Sequence, residues 1–343
     1  MVTEKSFMLQ PMRLVALLDA AFRLYRRNFL VFVGIVALLQ IPVSLLSIFP
    51  SLLMLEDMDN FTGDLPVTYF IGLGLSYVIM FLQYFLIAGA ATLALTSALA
   101  ANYFGEKIGI FEAYRRSWPA LLRFLLVLIL LGLLILGMFI WTLIPCVGWF
   151  TGPGILAAIS LAVLPFAAPV MILEKHDSAF GVISRTWDLV RRRFWWVLGL
   201  AGVLYLLNLA LAGPATLFAL ISTFASESFI GAVEQNIVNT VAQTFISLLA
   251  SILYLPLQMA VIMLAYFDLR IRTEGIDLFL NALEDEAESP DIRLVAEMPT
   301  VKHSHQLVSG KEVGYFVIIT LVIVLLYVVL MGLMFFVLMA SMM

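Results

Sequence analysis

The stretch AAFRLYRRNFLVF, residues 20–32, sets Arg23, Arg26 and Arg27 among aromatic rings and then runs without pause into an apolar segment. A basic strip leading straight into a long apolar run is the pattern of a chain entering a bilayer, and composition agrees. Of the 343 residues 63% are hydrophobic and 12% charged, with a mean hydropathy of +1.07, against roughly 45–50% apolar and 25% charged in soluble domains. The chain therefore reads as all-α: a polytopic helix bundle whose length is counted in crossings of about 20 apolar residues each.

Outward from residue 29, long runs free of charge except for Arg123 predict about seven spans, over 29–50, 66–103, 120–144, 153–173, 194–223, 236–267 and 313–340. The first lies too deep in the chain for a signal peptide and lacks a small-x-small cleavage site, so it reads as a retained span. All 19 Lys and Arg fall in four segments: before residue 29, between Lys107 and Arg123, between Lys175 and Arg193, and between Arg270 and Lys311. The alternate loops, near 51–65, 145–152 and 224–235, contain none and carry Glu56, Asp57, Asp59, Asp64, Glu227 and Glu234. This asymmetry predicts a multi-pass protein of the cell membrane with a cytoplasmic N-terminus and a C-terminus outside. Three parts follow: a six-span membrane domain over 1–285, a flexible cytoplasmic linker over 286–312, and a C-terminal anchor helix over 313–343.

The basic strip recurs. YRRNF at 25–29 matches YRRSW at 114–118 and, more loosely, VRRRF at 190–194; a second register pairs RSW at 116–118 with RTW at 185–187. Each copy precedes a span, which predicts three parallel repeats, over about 11–103, 108–173 and 178–270, of one basic interfacial helix plus two spans. In the first copy Leu14, Leu17, Leu18, Ala21, Phe22 and Tyr25 form an apolar face opposite Arg13, Arg23 and Arg27, and Asp19 is placed to pair with Arg23. In the third, Phe180, Ile183, Trp187, Val190 and Phe194 form the stripe, with Arg185, Asp188 and Arg192 opposite.

Two readings of these arginines compete. Topology alone explains them, with Trp118, Trp187, Trp195 and Trp196 as interfacial anchors. On the functional reading Arg23, Arg26, Arg27, Arg115, Arg116, Arg185, Arg191, Arg192 and Arg193 hold membrane lipids, chiefly anionic phospholipids, at the inner leaflet. Inside the spans no Asp, Glu, Lys or His occurs and Arg123, near the start of 120–144, is the one Arg, which argues against an ion-driven carrier of charged substrates. Gln83, Asn208, Gln243 and Gln258 are polar residues at membrane depth, suited to helix–helix hydrogen bonds or to lining a cavity. Ala90, Ala94 and Ala98 offer a close helix approach, and prolines at 42, 145, 165, 169, 214 and 256 mark kinks or ends. Cys146 is the one cysteine and His176, His303 and His305 the three histidines, so no metal site or cofactor is expected.

Three stretches together carry a resemblance: LLDAAFRLYRRNF at 17–29, LEKHDSAFGVISRTWDLVRRRFWWVLG at 173–199 and AYFDLRIRTEGIDL at 265–278. They resemble the multi-span membrane domain fused to some bacterial glycerophosphodiester phosphodiesterases, and the stand-alone membrane proteins related to it, over roughly residues 10–285. In the fused proteins activity resides in a separate soluble barrel with His, Glu and Asp at a metal-assisted site. Three histidines and no soluble segment beyond the tail leave nothing here to supply it, so that activity is not carried over. The signature residues Asp268, Arg270, Arg272, Glu274 and Gly275 are expected to end a helix and pair with basic neighbours. Glu106 and Glu174 occupy comparable places, which predicts three carboxylates facing three basic helices.

The function these features favour is a non-catalytic integral membrane protein, a scaffold that binds lipid or an unknown protein partner at the cytoplasmic face. The alternative is a transporter or flippase for an amphipathic or neutral, lipid-like substrate. An enzyme has least support, since Glu174, His176 and Asp177 form the only compact group of acid–base residues. No nucleic-acid partner is expected.

Overall fold

The first basic helix, α1 (Leu14–Arg27), stops one residue short of the first span, α2 (Phe29–Asp59), because Asn28 has left the helical region at φ −126, ψ 29. The computed structural model describes residues 11–59, 66–174, 178–225, 232–276 and 308–341. Among these residues there is no strand, and seven helices are long and apolar enough to cross a membrane. The chain is thus a multi-pass integral membrane protein.

The second span comprises α3 (Val67–Gln83), a π-helical stretch Tyr84–Ala91 and α4 (Thr92–Tyr103). The third is α5 (Ile110–Trp141). The fourth comprises α6 (Val147–Ala157), a second π-helical stretch Ala158–Val163 and α7 (Leu164–Leu173). The short α8 (Ala179–Arg191) leads into α9 (Phe194–Ala225), and α10 (Ala232–Glu274) and α11 (Gly310–Ser341) complete the set. The second and sixth spans each run 37 residues, about 55 Å at 1.5 Å per residue against a hydrocarbon core of about 30 Å. About 10 Å of the excess in α10 lies at its C-terminal end, where Asp268, Arg270, Arg272 and Glu274 occupy the last turns.

The second basic segment differs from the expected separate helix. α1 and α8 are each followed by a break, at Asn28 and at Arg192–Arg193, whereas residues 110–119 are simply the first turns of α5. Ser117 stands where Asn28 breaks the first copy, and the helix runs on through it and through Pro119, although the proline offers no N–H to the Arg115 carbonyl.

Small side chains decide what lies in the middle. The run TLALTSALAANY makes α4 almost wholly buried, with Ala94 and Ala98 fully enclosed and Ala90 half-buried. α7 and the second half of α10 share that core, packing Phe166, Ala167, Val170, Ala260, Val261, Met263 and Leu264 together. Contacts at one end then gather the basic segments. Tyr103 stacks on Phe267 with ring centroids 4.9 Å apart, and the Met12 amide donates to Asp268 Oδ1 at 2.8 Å.

The seventh helix, expected as an anchor separated by a linker, begins at Gly310 and packs against the bundle, chiefly on α6. Residues 277–307, which include most of the expected linker, lie outside the described residues. Glu312 supplies the return half of a capping box, accepting from the Ser309 amide at 2.6 Å. Phe194 stacks on Tyr315 at 5.6 Å. Gly154 lets the two backbones touch: its amide donates to Thr320 Oγ1 at 2.9 Å, and a Cβ there would overlap the Phe316 carbonyl. Beyond Thr320 most of α11 is exposed toward the surrounding lipid.

Gly154→Ala should therefore lower the melting temperature of the detergent-purified protein, with a cost of about 1–3 kcal/mol from overpacking. Gly132→Ala, at a position where nothing lies within 4 Å, should leave the melt unchanged.

Candidate functional site

The residues that end α7 and α10 and those that begin α8 meet in one charged cluster. Ser178 caps α8, accepting from the Gly181 amide at 3.1 Å, and so sets the helix across the end of the bundle. Gly275, at φ +66, lets α10 stop one residue after Glu274, and its amide closes back on the Ile271 carbonyl at 3.1 Å. Glu174 follows the last residue of α7 in extended conformation.

Arg185 lies between the two carboxylates. Its Nε donates to Glu174 Oε2 at 2.7 Å and one terminal nitrogen donates to Glu274 Oε2 at 2.8 Å. The other terminal nitrogen stands 2.7 Å from Glu274 Oε1, an ion pair without hydrogen-bond alignment. Arg270 donates to Glu274 at 2.9 Å and to the Tyr266 hydroxyl at 3.2 Å, while that hydroxyl donates to Glu174 at 2.8 Å. All these side chains are buried; Arg270 is 1% and Arg185 6% exposed. Burial pulls the Arg185 guanidinium down, but its hydrogen bonds with Glu274 and Glu174 outweigh that and hold it above its ordinary value. Two acids against two arginines leave the centre neutral, the condition on which a buried charge cluster survives.

A second shell surrounds the centre. Asp188 pairs with Arg191 at 3.0 Å and Arg192 at 2.8 Å, and Arg191 approaches Glu312 of α11 at 3.8 Å. Asp268, fully buried, takes Arg272 at 2.9 Å and Arg193 at 3.7 Å, and Arg193 also sits over the Trp196 ring at 5.5 Å. Arg272 in turn donates to the Met12 carbonyl at 2.9 Å.

This geometry changes the reading of several candidate lipid-facing residues. Arg185, Arg191 and Arg192 are enclosed and satisfied by carboxylates, so they are not available to lipid headgroups. The physical reason is that α8 packs on α5, α7 and α10 and buries both faces, including the Arg185–Asp188 face expected at the surface. Arg193 is half-buried. Arg116 is held by Glu106 at 2.8 Å and Glu112 at 2.9 Å, and Arg115, 80% exposed, pairs with Glu112. Among the described arginines, only those of α1 and its N-cap stand without an ion pair: Arg13, Arg23, Arg26 and Arg27 are exposed and make none with any described residue. The expected Asp19–Arg23 pair does not form either.

The three carboxylates meet basic helices unequally. Glu106 reaches Arg116 and Glu174 reaches Arg185, each on the basic segment that follows it, but Glu274 closes on Arg185 as well and not on α1. Tyr266 and Glu312 were not singled out in the sequence. The spacing Tyr266, Arg270, Glu274 at successive fourth positions carries the signal for the first, and the Ser309-x-x-Glu312 box part of the signal for the second. His176 and Asp177 lie outside the described residues, as do His303 and His305. Among the described residues no group of three or more His, Cys, Asp and Glu is placed to hold a metal.

Of the polar residues at membrane depth, Gln83 and Gln258 line one half-open cleft of about 410 Å³, and Asn208 and Gln258 line an adjoining one of about 260 Å³. Gln243 lines neither. No protein-family model, curated protein or solved structure matches the chain. What fold and site define is a class: an all-helical, seven-span membrane protein with a buried ion network closing one end.

Arg185→Met should destabilise the detergent-purified protein by about 3–5 kcal/mol, because it leaves two buried carboxylates facing one arginine. Arg115→Ala should barely move the melt. In a double-mutant cycle, Glu174→Gln with Arg185→Met should cost less than the sum of the single changes.

Proposed function

We propose that this protein is a non-catalytic membrane scaffold that holds anionic phospholipid at the cytoplasmic face through α1. One observation carries this reading: the arginines of α8 are consumed by internal carboxylates, while those of α1 are left free. Around them Val15, Phe22, Phe29 and Leu30 are also exposed, Leu30 to 81%. Apolar side chains beside unpaired cations are what a helix needs to lie in a headgroup layer. Leu17, Ala21 and Tyr25 bury the opposite face, and the Tyr25 hydroxyl donates to the Leu253 carbonyl, so the helix is fixed to α10 and not a loose arm.

The resemblance to the membrane domain of glycerophosphodiester phosphodiesterases belongs to the same proposal. Its support is that the resembling stretches 173–199 and 265–278 supply most of the ion network. The three-unit repeat is supported by the matching pairs Glu106–Arg116 and Glu174–Arg185, ten and eleven residues apart. The cytoplasmic placement of α1 rests on the distribution of Lys and Arg. A second reading, a carrier of a neutral lipid-like substrate, is favoured by the convergence of Gln83, Asn208 and Gln258 on the two clefts. Vesicle scrambling no faster than in protein-free vesicles would remove it.

Each arginine near an anionic surface contributes about 1 kcal/mol. The variant with Arg23, Arg26 and Arg27 all changed to Gln should therefore lose roughly 100-fold in affinity for phosphatidylglycerol, read by native mass spectrometry or lipid exchange in nanodiscs. Unchanged binding would end the proposal. Orientation is tested with the natural thiol: exposed Cys146, in the turn between α5 and α6, should react with a membrane-impermeant maleimide added to intact cells, and labelling only after lysis would reverse the topology.

A further inference from the structure

Most polar side chains in the spans satisfy themselves on their own helix. Thr96 donates to the Thr92 carbonyl at 2.7 Å, Asn102 to Ala98 at 2.8 Å, Thr244 to Thr240 at 2.8 Å and Ser251 to Leu248 at 2.9 Å. Four do not. The amides of Gln83, Asn208 and Gln258 and the hydroxyl of Ser160 make no hydrogen bond with any described residue, and all four side chains line the two adjoining clefts. Ser160 and Gln258 belong to both, together with Pro165 and Ile262, so the two clefts meet at a common wall.

For Gln83 and Ser160 the backbone explains why the side chain is turned away from its own helix. Both π-helical stretches contribute to the walls, Tyr84, Ile87 and Ala88 from one and Ser160 and Leu161 from the other. A wider turn rotates side chains off the regular helical stripe. Pro165, just after the second stretch, removes the N–H that the Leu161 carbonyl needs. Depth follows from the chain. Gln258 stands 16 residues before Glu274 in one helix, about 24 Å, which sets it well inside a hydrocarbon core about 30 Å thick.

We propose that these clefts form one intramembrane binding site for an uncharged lipid bearing hydroxyl or ester groups, such as a diacylglycerol. Amides left unpaired at that depth need a partner that both donates and accepts, since nothing in hydrocarbon does either. Among the described residues no Asp, Glu, Lys, Arg or His lines either cleft, so a phosphate or ammonium group has no counter-charge there. The larger cleft is of small-molecule size, and the open sides leave acyl chains in the surrounding bilayer. The site deepens the carrier reading, yet it requires only occupancy and stands whether or not its occupant crosses the membrane.

The test uses the full chain in phosphatidylcholine nanodiscs with a photoactivatable diacylglycerol. Wild type should be labelled on segments 83–92, 158–166 and 254–262, with competition by unlabelled diacylglycerol. Gln258→Leu combined with Ser160→Ala should reduce that labelling about tenfold, while Gln243→Leu, outside both clefts, leaves it unchanged. Retained phosphatidylglycerol binding in the cleft variant keeps this outcome separate from the α1 proposal, and a flux assay separates it from transport. Labelling that persists in the cleft variant, spreads over α11, or is displaced only by charged phospholipid overturns the inference. So does an absence of competable labelling, which means that water alone fills the clefts.

Discussion

A guanidinium buried where helices leave the bilayer must find carboxylates, and Arg185 finds two. Its contacts with Glu174 and Glu274 bind α8 to the ends of α7 and α10. Arg270 and Tyr266 complete a neutral set from α10 alone, spaced so that one helix face presents hydroxyl, cation and anion in order. Because the cluster is desolvated, none of its charged members is dispensable: removing one strands its partner's charge in low dielectric. The rest of this end of the bundle is arranged around it, with Asp188 and Asp268 neutralising the arginines that follow and Asp268 also receiving the start of α1.

The basic helices show how packing, and not composition, assigns a role to an arginine. α1 and α8 are both short, amphipathic and rich in arginine. α8 is wedged against α5, α7 and α10 and has acids within reach on every side, so its cations become structural. α1 packs one face on α10 and offers the other to its surroundings, so its cations remain free. The second segment falls between the two, an exposed helix start whose arginines share Glu106 and Glu112.

Within the bilayer, helix ladders and back-bonded hydroxyls satisfy nearly all polar groups locally, as a medium without water demands. Gln83, Ser160, Asn208 and Gln258, which are not so satisfied, gather beside the π-helical turns and Pro165, and the result is a polar seam between α10, α9 and the second and fourth spans. Close packing elsewhere comes from small residues, in α4 and at the Gly154–Phe316 crossing that brings the seventh helix into the bundle.

Much of this was legible in the chain alone, because bilayer thickness and hydrogen-bond demand act on any sequence through length and hydropathy. Seven spans, the clustering of basic residues, the helix end at Glu274–Gly275 and the small-residue face of α4 all follow from local composition and spacing. What the chain alone could not assign was which charges meet, since Arg185 and Glu274 are 89 residues apart and equally good partners stand nearer. Nor could spacing show that α5 would run through Pro119, that α11 would dock on α6, or that Gln243 would stand apart from the other three amides. Those outcomes depend on how helices are set beside one another. Only tertiary structure decides, because pairing a charge or enclosing an amide is a property of the space between helices and not of any one of them.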